Sequence, residues 1–161
     1  MIYICLFVLC AAIILAALFI RKYSKLYKRI ISFRDSMDLT GLPVITFHQG
    51  KTKLNFLLDT GAERSVINQA TLENIKHNII EGSVSEVYGI EGNAQTTFST
   101  TISFTRDLKY CEEFQVVDLS AAFNDIKAET GVTISGILGN DFFQKYQYVL
   151  DYSSMIAYPK A

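Results

Sequence analysis

From Met1 to Ile20 the chain carries no charged side chain, and this stretch, MIYICLFVLCAAIILAALFI, governs how the rest can fold. Twenty apolar residues wound as an α-helix rise about 30 Å, the depth of a bilayer's hydrocarbon core. A cleavable signal peptide wants positive charge ahead of a shorter apolar run and small residues at a cleavage point. Here no Lys or Arg comes first and the run passes straight into Arg21. The residues therefore predict an uncleaved transmembrane helix over 1–20.

Residues 21–34 add Arg21, Lys22, Lys25, Lys28, Arg29 and Arg34, with no acid. Leu26, Ile30 and Phe33 recur at helical spacing within this run. The pattern predicts a basic juxtamembrane stalk and linker over 21–40. Lys and Arg beside a span favour the cytoplasmic side. The expectation is a single-pass membrane protein, held in the membrane by residues 1–20, with its C-terminal domain in the cytoplasm.

Residues 41–161 are then one domain, too short for two full cores. From residue 35 onward nine bases face 16 acids, a net of −7, which argues against a nucleic-acid partner. Cys5 and Cys10 lie in the apolar run, so Cys111 has no thiol partner in the domain. Its two acidic neighbours, Glu112 and Glu113, oppose a reactive thiolate and read as a solvated edge. His48 and His77 have no partner at ligand or triad spacing. Neither metal nor cofactor is expected.

The domain reads as all-β. LPVITFH (42–48) and KLNFLLD (53–59) flank a turn and predict a hairpin. SVIN (65–68) is a short strand, with Asn68 placed to cap a helix through QATLENI. Residues 85–104 predict a strand, a glycine-bearing turn and a longer strand; 113–119 predict another. A helix is expected near 120–127, then an apolar stretch, VTISGILG (132–139), leading into a short helix, DFFQKY. YVLDY and MIAYP form a closing hairpin, whose pairing within the chain or across a dimer the sequence leaves open. Short strands with brief helices fit a small barrel or sandwich.

The chemistry sits in FLLDTGAERSVI, residues 56–67. Phe56, Leu57 and Leu58 bury the strand that delivers Asp59. A carboxylate at the end of an apolar run is costly unless hydrogen-bonded. Gly61 allows a sharp turn whose N–H can approach that carboxylate, and Ser65, Val66 and Ile67 return to the core. The competing structural reading makes Asp59 a turn residue bonding nearby N–H groups.

Asp59-Thr60-Gly61-Ala62, followed by Ser65-Val66-Ile67, resembles the active-site signature of the retropepsin-like aspartic proteases. Two further stretches follow in that family's order. Val87-Tyr88-Gly89-Ile90-Glu91-Gly92 resembles the flap hairpin that closes over substrate, and Ile137-Leu138-Gly139 resembles the hydrophobic-Gly element. The resemblance spans about residues 41–158 and implies a closed barrel protomer with one or two short helices. It implies Asp59 as the catalytic acid, Thr60, Gly61 and Ala62 as its supporting loop, and Tyr88, Gly89, Ile90 and Gly92 as flap and substrate contacts. After Gly139 the family often carries Arg; here Asn140 stands in its place.

The signature occurs once. The family's two-carboxylate mechanism therefore implies a homodimer with Asp59 of each copy at the two-fold axis and a protein or peptide substrate lying extended between strands. The function expected is a membrane-anchored aspartic endopeptidase. The alternative is a non-catalytic peptide-binding or dimerisation module on the same fold.

Overall fold

The computed structural model describes the backbone of residues 2–27, 29–88 and 94–160, and side chains over 10–22, 29–84 and 97–160. An opening helix α1 (Ile2–Tyr27) precedes a two-residue strand β1 (Ile31–Ser32) and a short helix α2 (Arg34–Thr40). The hairpin β2 (Val44–Gln49) and β3 (Thr52–Leu58) follows, then β4 (Val66–Asn68), the single turn α3 (Gln69–Leu72) and β5 (Asn78–Ile79). Next come β6 (Ser85–Tyr88), β7 (Ala94–Thr97), β8 (Ser99–Thr105), β9 (Lys109–Val117) and α4 (Ser120–Thr130). The chain closes with β10 (Gly136–Leu138), α5 (Asn140–Lys145), β11 (Tyr148–Asp151) and β12 (Ile156–Pro159).

Six strands close a barrel in the order β2-β3-β10-β4-β9-β8, with His48 of β2 meeting Thr105 of β8 to complete the ring. β5 adds to β8 from outside. β10 runs parallel to β3, with Leu138 opposite Leu58, and antiparallel to β4. The expected hairpin at 42–59, the helix near 120–127 and the short helix after Gly139 are all present. Asn68 stands at the start of α3 without capping it; its Oδ1 instead accepts the Leu119 N–H at 3.1 Å.

Alternation fills the barrel. Phe47, Phe56, Phe104, Phe114, Tyr110 and Phe142 are each no more than 1% exposed. Phe47 meets Phe104 edge-on at 5.0 Å and Tyr110 at 5.3 Å, an arrangement aromatic rings favour. The same alternation along β9 sends Tyr110, Glu112, Phe114 and Val116 inward. Glu112 is therefore only 3% exposed, not part of a solvated edge, while Cys111 and Glu113 do face out.

The folded unit begins earlier than the expected boundary at 41. Ile31 and Phe33 are 2% and 1% exposed, β1 pairs with β12, and the Phe33 N–H donates to the Met155 carbonyl at 3.0 Å. Two inward-facing apolar side chains outweigh any tendency of 31–40 to stand free as a linker. β12 thus lies between β1 and β11 of its own chain. On α1, Ile13, Ile14, Leu15, Leu18 and Ile20 are 57–67% exposed. Among the described residues no helix is long and apolar enough to cross a membrane, so the transmembrane reading of 1–20 draws no support from the structure.

Candidate active site

Because β3 and β10 are parallel, their C-terminal ends deliver two loops to the same rim of the barrel: Asp59 after Leu58, and Gly139 after Leu138. The Asp59 N–H donates to the Leu138 carbonyl at 3.1 Å, extending the parallel ladder by one rung. The chain then turns sharply. Gly61 N–H donates to Asp59 Oδ1 at 2.9 Å, and Ala62 N–H to the Asp59 carbonyl at 3.3 Å. Asp59 is half-buried, while Thr60 and Gly61 are exposed. One carboxylate oxygen is thus fixed by the backbone at a surface where a second molecule can reach the other.

The loop is stapled from behind. The Asp141 carboxylate accepts the Ser65 N–H at 2.9 Å, the Ser65 hydroxyl at 2.7 Å and the Phe142 N–H at 2.8 Å. The Ser65 hydroxyl in turn accepts the Gly139 N–H at 3.1 Å. Asn140, where the family often has Arg, joins through its backbone: its N–H donates to the Ala62 carbonyl at 2.8 Å. Ser65 is fully buried. Asp141 does bond at the start of α5, as a helix-start carboxylate would, but its larger role is to hold the loop.

Gly139 is required by this contact. A Cβ there would lie 2.5 Å from the Arg64 carbonyl carbon and 2.6 Å from its oxygen. Gly136 is as tightly placed, 2.3 Å from the Val66 carbonyl oxygen, which lets β10 insert beside β4. Leu138 is fully buried and Ile137 half-buried.

Behind the staple, a cavity of about 200 Å³ is lined by Arg64, Ser65, Glu112, Glu113, Gln115, Asp141 and Lys145. Burial pushes the Glu112 carboxyl above the usual carboxylate range, against the pull of Lys145. Burial acts to lower Lys145, but Glu112 and Tyr146 together outweigh it and raise the ammonium above its ordinary value. Lys145 Nζ lies 3.1 Å from Glu112 Oε2, yet it donates to the Cys111 carbonyl at 2.7 Å. That orientation leaves Oε2 close to a cation but without a hydrogen bond.

Of the residues expected at the site, Asp59, Thr60, Gly61, Ala62, Ile137, Leu138 and Gly139 are gathered at one rim. Tyr88 ends β6, whose partner β7 pairs it with Ala94. Gly89, Ile90 and Gly92 lie outside the described residues. The sequence reading overlooked Ser65 as a support and Asp141 as its holder. Ser65 lies 76 residues from Asp141, so no local pattern joins them.

A family model described as aspartyl protease matches residues 44–142, the stretch that contains Asp59 and Gly139. No curated protein matches the chain. Among solved structures, the EIAV protease complexed with the inhibitor HBY-793 is 25% identical, covering 65% of this chain and 86% of its own, with a TM-score of 0.48. The retroviral protease-like domain of Ddi1 from Leishmania major is 13% identical, covering 73% and 91%, with a TM-score of 0.42.

Proposed function

Because this chain belongs to the aspartyl protease family, we propose that it is an aspartic endopeptidase working as a homodimer, with Asp59 of each copy facing the other. The observation that carries this reading is the Asp59 turn: a half-buried carboxylate at a barrel rim, one oxygen held by Gly61 N–H and the loop locked from behind. Asp141, on the element stapled to that loop, already accepts three hydrogen bonds and is not a second catalytic acid. The partner carboxyl comes from a second copy.

Two carboxyls brought this close share one proton, since both cannot ionise cheaply. The ionised one takes a proton from water as the oxygen adds to the peptide carbonyl. The protonated one gives its proton to the carbonyl oxygen. The resulting tetrahedral species collapses as its amide nitrogen is protonated and the C–N bond breaks. Thr60, exposed beside Asp59, reaches the opposing loop, and the resemblance of the sequence 87–92 to a flap assigns Tyr88, Gly89, Ile90 and Gly92 the role of contacts to an extended peptide.

The charge-free sequence of 1–20 motivates a further part of the reading. Residues 1–20 tether the enzyme to a membrane, with the basic run 21–34 on the cytoplasmic side. Flotation of the full chain with liposomes tests this part separately, and a chain that stays at the bottom of the gradient removes it.

The test of catalysis is Asp59→Asn in the full chain. It abolishes cleavage of an unfolded protein substrate below neutral pH while the circular dichroism and the dimer mass stay unchanged. Cleavage that survives the substitution, or a chain that sediments as a monomer at working concentration, refutes the reading.

A further inference from the structure

We propose that the end of the barrel opposite Asp59 holds a second site, for a small organic anion. The parallel strands β3 and β10 carry the Asp59 and Gly139 loops at their C-terminal ends. At their N-terminal ends, Thr52–Leu54 and Thr133–Ser135 instead form the floor of a cavity of about 390 Å³, walled by α3 and α4. Seven residues of β3 separate the two ends, about 20 Å of extended chain. The volume falls within the range of small-molecule sites.

Charge sets the class of ligand. From residue 35 onward the chain carries 16 acids against nine bases, yet no acid lines this cavity, while Lys53 and Lys127 both do. The remaining polar lining is hydroxyls and side-chain amides. The Asp118 carboxylate at the start of α4 is turned to the Ser120 N–H at 3.0 Å and is not part of the lining.

A side-chain donor in the lining points the same way. Asn68 is 7% exposed and lines the cavity. Its Oδ1 accepts the Leu119 N–H at 3.1 Å, and since that group can only donate, the amide orientation is fixed by it. Nδ2 is therefore turned the other way, and it makes no hydrogen bond among the described residues. That amide N–H has no protein acceptor among the described residues, and an oxyanion bound in a cavity lined by the two lysines supplies one. Leu54, Phe123 and Ile134, all under 8% exposed, offer an apolar bed for the body of the ligand. A carboxylate or phosphate on a short hydrocarbon body matches all three features.

The test titrates the isotope-labelled full chain with pentanoate, with pentanol as the uncharged analogue, and with inorganic phosphate. Pentanoate shifts the amide signals of Lys53, Asn68 and Ile134 saturably. Pentanol binds about tenfold or more weakly, and so does pentanoate to Lys53→Glu and Lys127→Glu. Both lysines are exposed, so these variants keep the fold and the wild-type pattern elsewhere. The proposal is overturned by the absence of a saturable shift up to about 50 mM, by equal binding of pentanol, or by unchanged affinity in both variants. Phosphate binding as tightly as pentanoate also overturns it, because the apolar bed then contributes nothing.

Discussion

Gly139→Ala adds one methyl group where the Asp59 loop and the end of β10 touch. Gly139 has φ −91° and ψ −171°, a backbone that any residue adopts, so the cost is steric. The new Cβ would stand 2.5 Å from the Arg64 carbonyl carbon, 2.6 Å from its oxygen and 3.0 Å from the Ala62 oxygen, where ordinary contact begins at 3.4 Å. The loop must retreat by about 0.9 Å, and the obstructing atoms are backbone with no rotamer to yield. Retreat strains the Asn140-to-Ala62 bond of 2.8 Å and the Gly139-to-Ser65 bond of 3.1 Å. Overpacking costs about 1–3 kcal/mol and each weakened bond about 1 kcal/mol. The sum, about 4 kcal/mol, lowers the melting temperature by about 15 °C for a domain of this size. A loop displaced by nearly 1 Å also lowers kcat by about 100-fold. Gly131→Ala is the contrast: no atom lies within 4 Å of its Cβ, and at φ +76° it carries only a left-handed backbone penalty of about 1 kcal/mol. Thermal melts followed by circular dichroism, with amide shifts over 59–65, decide the matter. A Gly139→Ala variant that melts with the wild type, or a Gly131→Ala variant that loses more, refutes the reasoning.

Asp141→Asn places an amide against the Ser65 N–H and costs about 2 kcal/mol, and Ser65→Ala about 1 kcal/mol; the double variant loses less than the sum, and additive urea denaturation energies would contradict the staple. Burial raises the Glu112 carboxyl above its unfolded value of 4.5, so the folded state resists its ionised form. That cost stands in full above the raised value and fades as pH falls toward 4.5. The wild type therefore gains stability relative to Glu112→Gln on going from neutral to mildly acidic pH, and a difference that is flat or of opposite slope counts against it. Burial also pushes the Tyr110 and Tyr148 phenols well above their ordinary value of 10.0. Stability consequently falls as pH rises beyond 10, where the unfolded chain loses phenol protons that the folded chain keeps. An ultraviolet titration shows at least these two of nine tyrosines un-ionised until the chain unfolds, and full titration of the folded protein would contradict it. Phe33→Ala, which empties a site that is 1% exposed, costs about 3–5 kcal/mol; a negligible loss would place residues 31–40 outside the folded unit.

Local patterns carried the strands, the two glycine-bearing rim loops and the position of Asp59, because alternation and tight turns are written in adjacent residues. The same rule, applied strictly along β9, would have turned Glu112 inward; the adjacent acid pair at 112–113 overrode it. Phe33 was legible as apolar but had no visible neighbour, since its partner strand lies more than 120 residues later. Ser65 and Asp141 are ordinary residues until the barrel places them together. The acid-free cavity is likewise a fact about three-dimensional neighbours, assembled from four separate stretches of chain.

In the ring of strands, β10 is inserted between β3 and β4, although it is synthesised some 70 residues after them. The β2–β3 hairpin can form early, but β3 and β4 do not pair with each other and must wait for residues 136–138. Such distant pairings make for slow, late closure. Until Asp141 has also emerged, the Asp59 turn has no anchor behind it. A polypeptide interrupted before residue 136 is thus left with an unclosed ring and with the Asp59 rim unbraced.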